Sequence, residues 1–217
     1  MKKRSRKAAG VEARSRVRFR PVRKAKPGAG ANAIFLVGFM GAGKTSVGRA
    51  LAQRLNWLFE DLDERIVSRE GRPIADIFRD SGEPEFRRAE RAALEDLLHE
   101  LRGAGGRIVA LGGGAFVQKQ NAELLQAAGA ATVFLDAPAN ELWQRCCKQS
   151  AAAGIERPLL RRPEQFRKLY NARRRAYSNA LTRVQTAERT VDAIADEIVE
   201  TFGLAKITTR TEEGEVE

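Results

Sequence analysis

Ala33-Ile34-Phe35-Leu36-Val37-Gly38-Phe39-Met40-Gly41-Ala42-Gly43-Lys44-Thr45 is the stretch that decides the fold. Its first five residues are continuously apolar, as a strand covered on both faces must be. Residues 38–45 complete the spacing G-x-x-x-x-G-K-[ST]. Val47, Leu51 and Leu55 then recur at helical steps. In such a strand–loop–helix unit the glycines let the backbone wrap an anion. The loop N–H groups and the helix N-terminus then point at its phosphates. Lys44 supplies a point charge to the β- and γ-phosphates, and the Thr45 hydroxyl can ligate Mg²⁺. A glycine-rich turn that merely caps a helix is the plain alternative, but it explains neither the lysine nor the threonine. The unit predicts a bound nucleoside triphosphate.

Outward from this unit, strands and helices alternate. Trp57-Leu58-Phe59 reads as a second strand ending at Glu60-Asp61-Leu62-Asp63, with a short helix after it. Ile74, Ile77 and Phe78 suggest one or two more turns, Gly82 a break, and Phe86, Ala89, Ala93, Leu94, Leu97 and Leu101 the inner face of a longer helix. Arg107 to Leu111 is a third strand closed by Gly112-Gly113-Gly114, and Ala131 to Leu135 a fourth after a helix around 119–128. Pro138 opens a helix expected to end near Cys146 and Cys147, and 149–162 reads as irregular. Pro163 starts a helix to about Leu181, a short strand is placed near Thr190-Val191, and a last helix covers roughly 192–202. This order predicts a parallel sheet covered on both faces, with ligands at the carboxyl ends of its strands.

The net charge of +11 is localised. Residues 1–26 hold twelve Lys or Arg and one acid, Glu12; removing these from the 39 bases and 28 acids of the chain leaves 27 of each. The basic charge therefore belongs to an arm, residues 1–30 with Pro27-Gly28-Ala29-Gly30 at its end, and the rest is neutral. Its composition predicts disorder. It lacks the apolar segment of a secretory signal, and it has the arginine excess of a transit peptide without an amphipathic stripe. Nonspecific nucleic-acid contact through the arm, a solvated appendage and a misplaced start codon are the open readings. No apolar run approaches the roughly 18 residues that span a bilayer. Adjacent Cys146 and Cys147 fit neither a disulfide framework nor a metal site, which points to a reducing cytoplasmic setting. His99, without a Cys or His partner at ligand spacing, reads as packing or surface.

Four further features sit where ligands collect. Asp61 and Asp63 end the second strand; alternation in an extended segment would point both carboxylates the same way, toward a metal and an acceptor hydroxyl. Either could instead cap the following helix. Arg87 has Glu90 three residues on, close enough to brace it, whereas Arg88 reads as solvated. Gly112, Gly113 and Gly114 permit close approach to the backbone, or simply a tight turn. Arg173 falls on the apolar stripe Phe166, Tyr170, Tyr177, so it needs an internal carboxylate or an anionic ligand, whereas Lys168, Arg174 and Arg175 lie off that stripe and read as solvated. A flexible segment from Ser150 ends in Arg157, as a lid over a phosphoryl-transfer site would.

Together these pieces resemble the shikimate kinase family. The motifs are Gly38-Phe39-Met40-Gly41-Ala42-Gly43-Lys44-Thr45, Asp61-x-Asp63, Phe86-Arg87-Arg88-x-Glu90, Leu111-Gly112-Gly113-Gly114-Ala115, Arg157-Pro158-Leu159-Leu160 and Tyr170-x-x-Arg173-x-x-x-Tyr177, in the family's order over about residues 33–203. The resemblance implies an α/β, three-layer P-loop NTPase fold of the nucleoside-monophosphate-kinase type. Its five-stranded parallel sheet would run in the order 2-3-1-4-5, flanked by helices and carrying a mobile lid. Residues 31–205 would form this domain and 206–217 a frayed tail. The implied reaction transfers the ATP γ-phosphate to the 3-hydroxyl of shikimate, on the route to chorismate and aromatic amino acids. Gly41, Ala42, Gly43, Lys44, Thr45 and Ser46 would hold the ATP phosphates, and Thr45 and Asp61 the Mg²⁺. Asp63 would orient or deprotonate the attacking hydroxyl. Arg87 and Arg173 would clamp the shikimate carboxylate beside Gly112, Gly113 and Gly114, with Gly113 donating its N–H. Arg157 would close on the phosphates and Arg145 flank the adenine.

Three departures stand out. Arg175 occupies a place where the family usually has proline, the lid from Arg145 to Arg157 is long, and the adenine loop expected after Val191-Asp192 is nearly absent. The competing expectations are a related small-molecule kinase, for example one acting on gluconate, and an idle nucleotide-binding module. A monomer is expected, and no nucleic-acid contact by the neutral core.

Overall fold

The computed structural model describes residues 33–101, 105–154, 160 and 162–204. The basic arm, the C-terminal tail and Arg157 lie outside the described residues. Five strands, β1 (Ala33–Val37), β2 (Leu58–Asp61), β3 (Arg107–Ala110), β4 (Ala131–Asp136) and β5 (Thr182–Gln185), form one sheet in the order β2-β3-β1-β4-β5. Every pairing is parallel, in the order the resemblance implies. Every residue of β1 and β4 is buried. Since successive strand side chains face opposite sides, helices must cover both faces.

The helices are α1 (Lys44–Leu55), α2 (Leu62–Glu70), α3 (Ile74–Glu100), α4 (Lys119–Ala127), α5 (Ala139–Ala153), α6 (Pro163–Tyr177) and α7 (Val191–Phe202), with a 3₁₀ turn at Ala115–Val117. α1 and α7 pack together, α2 packs on α3, and α5 on α6. The break expected at Gly82 is present: φ 75°, ψ 175° there divides α3, and Pro84 follows in the first turn of its second half, where no N–H is needed. Among the described residues no helix is long and apolar enough to cross a membrane.

Four local expectations are corrected. α5 runs past the cysteines to Ala153, because Ala151, Ala152 and Ala153 are the best helix formers and Gly154 supplies a left-handed cap at φ 63°. α6 ends at Tyr177, where Ser178 turns its hydroxyl back to the Arg174 carbonyl at 3.0 Å. The last strand is Thr182–Gln185, not Thr190-Val191. Thr190 is instead the N-cap of α7, its hydroxyl accepting from the Ala193 N–H at 3.2 Å. The loop between the last strand and the last helix is therefore 186–190, and Val191-Asp192 already belong to the helix. The connection into the last helix thus lies before Val191-Asp192, and helix rather than loop follows them.

Candidate active site

The carboxyl ends of β1, β2 and β3 open on a cleft of about 400 Å³. One wall is the β1–α1 loop. Gly41 (φ 77°) and Gly43 (φ 92°) adopt left-handed backbone that side chains rarely tolerate, and Gly43 caps α1 without any side-chain bond. No acidic residue occupies the first turn of α1. The N-terminal amides of the helix thus remain available to an anion. Lys44 Nζ donates to the carbonyls of Gly38 (3.1 Å) and Phe39 (3.2 Å). Burial pulls the ammonium below its usual pKa, opposed by the charges of Asp63 and Asp61. Ser46 also lines the cleft, but the Ala42 N–H turns inward to the Phe39 carbonyl at 3.2 Å and its side chain is buried.

The second wall carries acids. Asp61 ends β2 and caps α2, one oxygen accepting from the Asp63 N–H at 3.0 Å and the other from the Thr45 hydroxyl at 3.3 Å. Asp63 is the second residue of α2, so the helix turn, and not strand alternation, brings both carboxylates to the cleft. Burial raises the Asp63 pKa above the usual carboxylate value, and the Asp61 charge adds to it. Lys44 and Arg87 oppose the rise.

Opposite stand the guanidinium groups. Arg87 binds buried Glu90 (2.9 Å) and exposed Glu83 (3.0 Å) and lies 5.1 Å from the Phe86 ring centre. Glu90 itself is pushed up by burial against the pull of Arg87. Arg173 reaches the Gly113 carbonyl at 3.2 Å and sits over the Phe39 ring. Among the described residues no carboxylate is ion-paired with it. Its inward-facing charge is therefore still to be matched.

The triple glycine explains how these groups converge. A Cβ on Gly112 would lie 2.4 Å from an Asp63 oxygen, and one on Gly114 would lie 2.7 Å from the Arg87 guanidinium. Gly113, between them, has an Arg173 nitrogen 3.9 Å from the same position. None of the three has positive φ. The requirement is room, and the room is taken by the protein's own charged side chains rather than kept for a ligand alone.

Arg145 is not among the residues that line the cleft. Arg145 lies behind the phosphate loop, bonded to the Thr186 carbonyl (2.6 Å) and hydroxyl (3.1 Å), to Glu141 (2.5 Å) and weakly to the Gly41 carbonyl (3.5 Å). Arg157 is outside the described residues. Gln149, on the unforeseen extension of α5, lines the cleft; the alanines after it were the available signal. His99 is exposed on α3 and apart from the cleft, whereas exposed Arg88 pairs with Glu85, as a solvated face would. Arg174 is only half-exposed, because it pairs with buried Asp136 at 2.8 Å. Nothing in the local sequence shows that contact, which forms only when α6 meets the end of β4.

A cleft with a phosphate loop on one side and two guanidinium groups on the other suits a small acidic alcohol and a nucleotide. Comparison with known proteins agrees. The family model described as shikimate kinase matches residues 40–203. The chain is 41% identical over 175 residues to a shikimate kinase of Geobacter sulfurreducens, covering 79% of this chain and 91% of that one. It is 35% identical over 167 residues to a shikimate kinase of Persephonella marina, covering 76% and 96%. A solved shikimate kinase from Acinetobacter baumannii, in complex with shikimate, superposes with a TM-score of 0.67 at 31% identity, over 78% of this chain and 92% of that one. With the motifs, the sheet order and these matches in agreement, the chain belongs to the shikimate kinase family.

Proposed function

We propose that this chain transfers the γ-phosphoryl group of ATP to the 3-hydroxyl of shikimate, giving shikimate 3-phosphate and ADP. The observation that carries the reading is the order on the glycine platform: Asp63 at Gly112, Arg173 at Gly113 and Arg87 at Gly114, facing the phosphate loop across one cleft.

Phosphoryl transfer asks mainly for positioning and charge stabilisation. The amides of Gly41 and of Gly43 to Ser46 hold the triphosphate, and Lys44 leaves its carbonyl partners for the β- and γ-oxygens. Arg173, with Arg87 braced by Glu90, binds the shikimate carboxylate through charge-assisted forks. That anchor sets the ring so that the 3-hydroxyl meets Asp63, which accepts its proton as the oxygen attacks phosphorus. The raised pKa of Asp63 brings its basicity nearer to that task. Arg157, by the family resemblance, is assigned to charge stabilisation at the phosphates. Arg145, tied to Thr186, presents the 186–190 loop to the adenine.

Mg²⁺ fits the acid wall. Among the described residues no cluster of three His, Cys, Asp or Glu could hold a metal unaided. Thr45 and Asp61 nevertheless meet at 3.3 Å, an oxygen pair of the kind that shares a hard cation with phosphate oxygens. When bound, the ion supplies neutralising charge to the phosphates. The reading extends to a monomer in the cytoplasm, where cysteines outside any disulfide, such as Cys146 and Cys147, stay reduced.

ADP release, measured with ATP plus a panel of hydroxy acids, tests the assignment. Shikimate should be strongly preferred over gluconate; equal turnover of gluconate would favour the related sugar-acid kinase. Two glycine variants separate the roles. Gly112→Ala pushes a methyl into the Asp63 carboxylate and should lower kcat. Gly114→Ala displaces Arg87 and should raise the shikimate KM. Each change is expected to be at least about tenfold, given how steeply rate falls with misplacement of about 1 Å. Identical kinetic signatures from the two would contradict the division of labour.

A further inference from the structure

Asp136 ends β4 with its side chain only 2% exposed, yet it is not part of the cleft. Its carboxylate accepts from the Tyr170 hydroxyl at 2.9 Å and the Arg174 guanidinium at 2.8 Å, and pairs with Arg183 of β5. Tyr170 and Arg174 are on α6, three residues before Arg173 and one after it. Tyr170 also donates to the Ala137 carbonyl at 2.9 Å and packs edge-on against Phe39 at 5.6 Å. The helix is thus fastened to one buried charge on both sides of the residue that faces the cleft.

We propose that Asp136 is a positioning residue for the substrate-carboxylate clamp, acting through Tyr170 and Arg174 to fix the roll of α6 and so the reach of Arg173. This rests on the proposed role of Arg173. A helix held only by apolar contacts can roll slightly at little cost, but a long side chain converts a small roll into a large displacement at its tip. Hydrogen bonds to a buried carboxylate are directional and costly to break. They suit the task of holding the helix in one orientation. Asp136 stays ionised: burial pushes its pKa up, but Arg174, Tyr170 and Arg183 more than reverse this and leave it below the ordinary value. Its backbone carbonyl also accepts from the Thr186 N–H at 2.8 Å, at the start of the 186–190 loop.

The test uses the full chain and steady-state kinetics with each substrate varied. Asp136→Asn keeps the shape and an acceptor for Tyr170 but removes the charge. It should raise the shikimate KM by about tenfold to about hundredfold while the ATP KM and kcat change little. Arg174→Ala, made at a half-exposed site, should do the same, and Arg174→Lys should recover part of the loss. In an Arg173→Ala background neither Asp136→Asn nor Arg174→Ala should raise the shikimate KM by more than about twofold, since the residue through which both act is gone. Independent, multiplying effects, or ATP and shikimate KM rising together, would overturn the positioning role and leave the clamp intact. If Arg173→Ala alone left the shikimate KM unchanged, the clamp would fall first and this proposal with it. Should Asp136→Asn not fold, the Arg174 variants decide by the same criteria.

Discussion

Asp63→Asn is expected to lower kcat by about 10²- to 10⁴-fold, the range associated with losing a positioned general base. Asparagine keeps the size of the side chain, so the glycine platform and the α2 turn should survive, and the shikimate KM should move far less than kcat. In the unaltered chain the acid limb of the rate profile should reflect Asp63. Burial first, then the Asp61 charge, raise its pKa, and the base is lost as pH falls through a value above the ordinary carboxylate pKa of about 4. The substitution should abolish that limb. Stability should move the other way. A carboxyl whose folded-state pKa is raised favours folding in its protonated form, so above that pKa the charged group costs stability. Asp63→Asn should therefore have a higher Tm than the parent near pH 7, with the gap closing as pH falls below the ordinary carboxylate pKa. A variant with near-parental kcat, or with the acid limb unmoved, would remove Asp63 from the chemistry.

Arg173→Ala should raise the shikimate KM while leaving ATP binding nearly unchanged. Losing one partner of a desolvated, hydrogen-bonded charge pair costs about 2–5 kcal/mol. That corresponds to a loss of about 30-fold to several thousandfold. The effect should exceed that of Arg87→Ala measured alongside it, because Arg87 already shares its charge with Glu83 and Glu90 whereas Arg173 has no carboxylate pair among the described residues. Arg173→Lys should recover little, since an ammonium cannot present the planar fork. An unchanged shikimate KM would refute the clamp.

Local spacing made the phosphate loop legible. Three glycines, a lysine and a threonine act within eight residues, and the strand before them is apolar throughout because both its faces are covered. Arg173 was legible for a similar reason, as a charge on an apolar helical stripe. Features formed by distant segments were not. Arg174 reads as solvated until α6 meets Asp136, and Asp61 and Asp63 share the cleft through a helix turn that strand alternation did not anticipate. β5 is short and carries Arg183 and Gln185 in alternation with buried Thr182 and Val184, so Thr190-Val191 offers the stronger β-branched signal. The extension of α5, which brings Gln149 to the cleft, was hidden by the polar residues after Cys147, although the alanines beyond them favour helix.

A crystal structure of the chain with shikimate and ADP bound tests the central claim most directly. The account predicts the shikimate carboxylate within about 3 Å of the guanidinium nitrogens of Arg87 and Arg173, and the 3-hydroxyl at the same distance from Asp63. The nucleotide phosphates should lie on the amides of Gly41 and of Gly43 to Ser46. Shikimate seated away from the glycine platform, or turned so that its carboxylate meets neither arginine, would contradict it.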